Sequence, residues 1–171
     1  AGYVATIQDT PSDDQLDSDA NRTTGQTAST GFLGNGDQNQ SLDLGIYKPV
    51  VVDGRAWLDS NGNGVRDSNE VTGTANVTVT LYQVGNGTPL STTHTNASGV
   101  YSFTNLPPGD YYVVFGTNSL PPGYHITTQN VPGDNTVDSD ASPTTGQTES
   151  TGFLYNGQQP NPLDMGLWQP V

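Results

Sequence analysis

Twelve consecutive residues, 59–70, carry oxygen-bearing side chains in a pattern suited to a hard divalent cation. Counted from Asp59, these oxygens fall at positions 1, 3, 5, 9 and 12, on Asp59, Asn61, Asn63, Asp67 and Glu70. Gly64 stands at position 6, where a calcium loop turns sharply, and Val65 at position 7 has only to offer its backbone carbonyl. Calcium takes about six to eight oxygens, and a terminal Glu can supply two of them. Three carboxylates against one dication leave such a loop anionic by about one charge. The plainer alternative is an Asx-rich surface turn, since Asn, Asp, Ser and Gly all favour turns. The six matched positions favour the cation.

A second acidic group comprises Asp134, Asp138 and Asp140, and it recurs earlier as Asp13, Asp17 and Asp19. On an extended segment Asp138 and Asp140 point the same way, about 7 Å apart. A shared cation relieves their repulsion; without one, a carboxyl pKa must rise. A solvated turn with Asx caps is the competing reading. Asp53 is either a further ligand or an ordinary residue at a strand end.

These residues are positioned by strands. Residues 51–58 are rich in β-branched and aromatic side chains, and residues 75–82 alternate apolar with polar. The loop therefore joins strands, which suits a clamp better than a helix-opening sensor. Further strands are expected at 75–83, 91–95, 100–105, 111–115, 124–129, 152–155 and 163–168, with turns at 85–87, 96–99, 106–110 and 121–123. No segment has a helical period. The pattern predicts an all-β sandwich, with Trp57 and Trp168 packed in its core.

The chain also repeats itself. Residues 3–50 align without a gap on 124–171 at a constant offset of 121, with 27 of 48 positions identical. Residues 1–50 thus read as the C-terminal part of one repeat and 51–171 as a complete one, a period that means a string of domains. The opening in mid-repeat is expected of a mature product or an excerpt of something longer. Strands are expected at 3–8, 29–33 and 42–47, too few to bury a core. Strands from elsewhere are therefore expected to complete residues 1–50, either from a preceding half or from a neighbouring copy by strand complementation.

Composition narrows the partners. The net charge is −13, from 17 acids against Arg22, Lys48, Arg55 and Arg66, which disfavours nucleic acid and anionic lipid. Carboxylates gathered in a few loops favour cation sites over a merely solubilising surface. Cysteine is absent, so disulfides are excluded, and with His94 and His125 far apart zinc is a poor candidate. No apolar run is long enough to insert into a membrane. The charged fraction is only 12%, and apolar residues fall in strand-like groups, which argues against disorder. Asn-x-Ser/Thr sequons stand at Asn21, Asn39, Asn76, Asn86 and Asn96.

The run Trp57-Leu58-Asp59-Ser60-Asn61-Gly62-Asn63-Gly64-Val65-Arg66-Asp67, followed by residues 77–82, resembles the calcium-binding B repeats of SdrD-type surface proteins. Residues 99–109, 111–115 and Asp138-Ser139-Asp140-Ala141 continue the likeness over essentially all of 51–171. The resemblance implies a Cna-B-like, Ig/prealbumin-type β-sandwich in tandem repeats, stiffened by calcium in a cell-surface stalk. It also assigns calcium to the Asp134–Asp140 region. Some relatives in the wider group carry a Lys–Asn isopeptide bond. Residues 51–171 hold no lysine, so that crosslink is excluded there and calcium is left as the clamp.

The expected function is an extracellular structural repeat of a calcium-stiffened stalk or filament, on a cell surface or in a secreted fibre, whose partners are calcium and copies of itself or adjacent repeats. A ligand-binding adhesin region and an accessory module of a secreted enzyme are the alternatives. Catalysis finds no support, because His94 and His125 are about thirty residues apart and neither sits in a recognisable nucleophile motif.

Overall fold

A computed structural model describes residues 2–9 and 17–170, and the chain divides into two compact units, Ala1–Pro49 and Val50–Val171. The first holds two short strands, β1 (Val4–Ala5) and β2 (Ile46–Tyr47), paired antiparallel with Val4 opposite Tyr47. The strand expected at 29–33 is not formed, and those expected at 3–8 and 42–47 shrink to these two pairs. The reason is a missing partner: in the second unit the residues equivalent to 32 and 33 form a strand only by pairing with a neighbour.

The second unit is a two-sheet sandwich. Its strands are β3 (Val50–Leu58), β4 (Thr78–Gln83), β5 (Ser91–His94), β6 (Val100–Leu106), β7 (Gly109–Phe115), β8 (His125–Ile126), β9 (Phe153–Leu154) and β10 (Met165–Trp168). One sheet has the order β6-β3-β10-β8 and the other β5-β4-β7-β9. β10 runs parallel to β3, with Met165 opposite Ala56, and antiparallel to β8. The only regular helical piece among the described residues is one 3-10 turn at Thr117–Ser119.

Alternation builds the core. Val50, Val52 and Ala56 of β3, Val79 and Leu81 of β4, and Val113 of β7 all point inward and are fully buried. Their partners across the pleat, such as Thr78, Thr80 and Tyr112, are only partly covered. Burying a Val or Leu side chain is worth about 1.5–3 kcal/mol, so this set dominates the stability of the unit. Each expected strand of 51–171 is present, with edges shifted by a few residues. β7 starts earlier than expected, at Gly109, so the break after β6 is confined to Pro107 and Pro108, which lack the N–H a ladder requires. Tyr111 Oη donates to Pro107 O at 2.7 Å and ties that reversal down. Across the sandwich, Tyr101 Oη donates to Leu163 O, also at 2.7 Å.

One packing expectation is corrected. Trp57 is buried, but Trp168 is about a third exposed (36%), because the pleat of β10 turns Met165 and Leu167 inward and Trp168 out. Its ring covers Gly62, where an added Cβ would lie 3.6 Å from Trp168 Cε3. His94 is exposed at the end of β5.

Candidate metal centre

The 59–70 loop leaves the end of β3 and folds into a closed ring. At its first position the Asp59 amide donates to Leu167 O at 2.7 Å, and Thr127 Oγ1 donates to Asp59 Oδ2 at 2.6 Å. Asp59 then gathers the turn: Gly62 N donates to Oδ1 at 2.7 Å and Gly64 N to Oδ2 at 2.8 Å. At the last position Glu70 is buried, accepting from Ser60 N on Oε1 at 2.6 Å and from Asp67 N on Oε2 at 3.2 Å. The two ends are thereby closed on each other. Inside the ring Asp67 Oδ2 accepts from the side-chain amides of Asn61 and Asn63, at 2.8 and 3.1 Å. Asn61 Oδ1 and Asn63 Oδ1 accept from the amides two residues on, in successive Asx turns.

Gly64 has φ +83°, and an added Cβ would sit 2.6 Å from Val131 Cγ2 and 2.7 Å from Thr128 O. Both the turn and the close approach of the following segment require glycine there.

The two acidic groups that look separate in sequence meet in space. Val65 bridges antiparallel to Asp138, with Arg66 N donating to Val137 O at 2.7 Å and Ser139 N to Gly64 O at 3.0 Å. The loop is thus tied to β10, to the segment after β8 and to residues 137–139. Asp138 is buried, and its Oδ1 has no hydrogen-bond partner among the described residues. Burial raises its pKa above the ordinary carboxylate value, helped by the charges of Asp134 and Glu149. Asp134 stays exposed, and its carboxylate is held by the hydroxyl and amide of Thr136, which lower its pKa.

Asp140 takes a different job. Its Oδ2 accepts the Asp164 amide at 2.6 Å, while its own amide donates to Asp164 O at 2.9 Å. Asp164 Oδ1 in turn accepts the Arg55 amide at 2.8 Å. Burial pushes Asp140 up to about 7, with the nearby Asp138, Asp164 and Glu149 charges adding to it. Burial also lifts Asp164 to about 6, held back by the Arg55 amide and by the Arg66 and Arg55 charges. Tyr101 is raised well above its usual value by burial and by Asp164, Asp140 and Asp53. Asp164 has no place in the loop spacing. Its one sequence signal is the repeated Leu-Asp-x-Gly, at residues 42–45 and 163–166.

The same arrangement recurs in the first unit. Asp43 N donates to Asp19 Oδ2 at 2.6 Å, and Asp19 N donates to Asp43 O at 2.9 Å. Asp19 is buried, Asp17 lies two residues before it, and Asp13 falls outside the described residues. Asp53 is not drawn to the loop. Its Oδ2 accepts Gln159 Nε2 at 2.9 Å, and it lines an open cavity of about 330 Å³ with Arg55, Arg66 and Asp164.

Among the described residues no three Asp, Glu or His side chains converge as a cation cage by themselves. A cation at the loop must therefore draw on Asn oxygens and backbone carbonyls as well, which is the donor mixture calcium accepts. The buried, unpartnered Asp138 Oδ1 beside the loop fits such an ion, because an oxygen left so is costly without a compensating charge or donor. The inward-turned amide groups of Asn61 and Asn63 would have to rotate to present oxygen.

A two-sheet sandwich whose first strand runs into an Asx-rich ring locked onto its last strand defines a small extended-loop β-domain. The chain belongs to the SdrD B-like domain family, whose sequence model matches residues 52–167. It is 38% identical over 169 residues to serine-aspartate repeat-containing protein D of Staphylococcus aureus strain Newman, covering 98% of this chain and 11% of that protein. It is 36% identical to serine-aspartate repeat-containing protein F of Staphylococcus epidermidis strain ATCC 12228, covering 98% of this chain and 9% of that protein. The chain thus spans about a tenth of the length of these curated relatives. Among solved structures, it is similar to GBS52, the minor pilin of Streptococcus agalactiae, with a TM-score of 0.47 and 12% identity over 81% of this chain and 58% of that one. It is also similar to the Bacillus anthracis TIE protein, with a TM-score of 0.45 and 16% identity over 75% of this chain and 22% of that one.

Proposed function

We propose that this chain is a structural repeat of an extracellular, surface-borne stalk or filament, in which calcium bound at the 59–70 loop stiffens each sandwich. The observation that carries the reading is the ring itself: one loop fastens the end of β3, the start of the segment after β8, β10 and residues 137–139. An ion held there would act as a staple in a unit without disulfides. Asp59, Asn61, Asn63, the Val65 carbonyl, Asp67 and Glu70 would hold it, with Asp138 alongside and Asp134 and Asp140 in reach of the same region. Membership of the SdrD B-like family and the absence, among the described residues, of any helix able to span a membrane are consistent with this role. The chain supplies rigidity rather than catalysis.

The test is thermal unfolding of the 171-residue chain with calcium and with chelator, alongside elemental analysis. An ion that binds only the folded state stabilises it by mass action, so calcium at about 100 times its Kd should add roughly 2.7 kcal/mol. An unchanged unfolding curve with no metal found rejects the calcium role and leaves a polar β-repeat.

A further inference from the structure

Asparagine is followed by glycine five times in this chain, at Asn35, Asn61, Asn63, Asn86 and Asn156. Such a pair is open to loss of the side-chain amide, because glycine has no Cβ to shield its peptide nitrogen from the carboxamide carbon beside it. All five asparagines are exposed, so burial does not rank them. Hydrogen bonding does.

Asn61, Asn63 and Asn86 share one local geometry. Each closes an Asx turn: Asn61 Oδ1 accepts Asn63 N at 2.9 Å, Asn63 Oδ1 accepts Val65 N at 2.7 Å, and Asn86 Oδ1 accepts Thr88 N at 3.2 Å. In every case the turn wraps the carboxamide over the peptide that links it to the following glycine.

The three differ in what holds the reacting atoms. Gly62 N donates to Asp59 Oδ1 at 2.7 Å and Gly64 N to Asp59 Oδ2 at 2.8 Å. Neither nitrogen can turn toward the neighbouring Cγ without breaking a charge-assisted bond. The amide groups that would depart are held too, with Asn61 Nδ2 and Asn63 Nδ2 on Asp67 Oδ2. At Asn86 the balance is reversed. Its Oδ1 also accepts Thr88 Oγ1 at 2.8 Å, which puts two donors on the oxygen where negative charge gathers when the carbonyl carbon is attacked. Nothing lies within 4 Å of a Cβ added at Gly87, so the turn has room to close on itself.

We propose that Asn86 is a site of spontaneous deamidation in the folded protein, and that the ring 59–70 exempts Asn61 and Asn63 from the same reaction. Gly87 N attacks Asn86 Cγ and a new N–C bond forms. The Cγ–Nδ2 bond breaks, and the side-chain nitrogen leaves as ammonia with the proton given up by Gly87 N. Water then adds to either carbonyl of the cyclic imide and reopens it as aspartate or isoaspartate. The tip between β4 and β5 gains a negative charge. An isoaspartate there adds a methylene to the backbone of an exposed turn outside the core. The same product at Asn61 or Asn63 would displace every oxygen beyond it in the ring, so the bonds that shape the ring also preserve its chemistry. The proposal does not depend on calcium.

The experiment incubates the 171-residue chain in chelator at mildly alkaline pH, folded in buffer and unfolded in urea, and follows each Asn-Gly pair by peptide mapping with isoaspartate detection. In the folded chain Asn86 should convert at least ~10-fold faster than Asn61 and Asn63, which react only through local opening of the ring. In urea the three rates should fall within about 3-fold of one another, since the ring is gone. Asp59→Ala should raise the rates at Asn61 and Asn63 in buffer and leave Asn86 unchanged. If that variant does not fold, the comparison of folded with unfolded parent chain still decides. Similar rates at all three positions in the folded chain, or Asn61 and Asn63 remaining slow in urea, overturns the protective role of the ring. An Asn86 that converts in urea but not in the folded chain overturns the assignment of the site.

Discussion

Thr127 Oγ1 donates to Asp59 Oδ2 at 2.6 Å, a buried contact between residues 68 positions apart. It joins the first residue of the 59–70 loop to the segment that follows β8. A hydrogen bond to a carboxylate is worth about 1.5–3 kcal/mol. Thr127→Val keeps the shape and removes the donor, so it should lower stability by roughly 1–3 kcal/mol in urea unfolding. If the bond only decorates a loop that forms anyway, the midpoint will not move.

Gly64 gives a sharper test of the loop's geometry. Gly64→Ala places a Cβ against Val131 and Thr128 O on a backbone at φ +83°. Strain of this kind costs of order 1–3 kcal/mol even before the clash is counted. Gly85 also has positive φ, 84°, but nothing lies within 4 Å of an added Cβ. Gly85→Ala should therefore cost less than Gly64→Ala in the same denaturation assay, the difference being due to the packed segment. Equal losses would mean that backbone strain alone matters.

The sandwich was legible because its strands alternate: Val79 and Leu81 face inward and Thr78 and Thr80 outward, a period that sequence displays directly. The ring 59–70 was legible from the spacing of its oxygens, and Gly64 from its place in that spacing. The link between Val65 and Asp138 was not, because a bridge between segments 73 residues apart has no local signature. Asp164 was hidden for the same reason, since its partners Asp140 and Arg55 reach it only through the packing of β10 beside β3. The strand expected at 29–33 fails because pairing, not propensity, makes a two-residue strand. Trp168 was misjudged because aromatic content does not tell which side of the pleat a residue takes.

Asp138 separates a structural carboxylate from a cation ligand. Its Oδ1 is buried without a donor, so its charge is a cost in the metal-free protein. Asp138→Asn should leave metal-free stability unchanged or slightly raised. The same substitution should shrink the gain in melting temperature on adding calcium. A metal-free protein that is clearly weakened, with the calcium increment intact, would assign Asp138 a purely structural role.

Acidity should act on this protein in opposite directions with and without calcium. Asp140 is raised to about 7 and Asp164 to about 6 in the folded chain, from an ordinary value of 3.8. Between these limits the folded protein holds protons that the unfolded chain has released, so folding is favoured at the low end of the window and weakens as pH rises through it. Metal-free protein should accordingly melt higher at about pH 5 than at about pH 7.5. Net charge pushes the same way, since −13 charges repel more as the last carboxyls ionise. Asp140→Asn isolates the local part: its amide oxygen can still accept the Asp164 N–H, but its proton balance is gone, so the pH slope should flatten. Calcium requires deprotonated ligands, so its stabilising increment should instead be larger at the higher pH. A metal-free melting temperature that rises from pH 5 to 7.5, or an Asp140→Asn slope as steep as the parent's, would remove the buried pair as the cause.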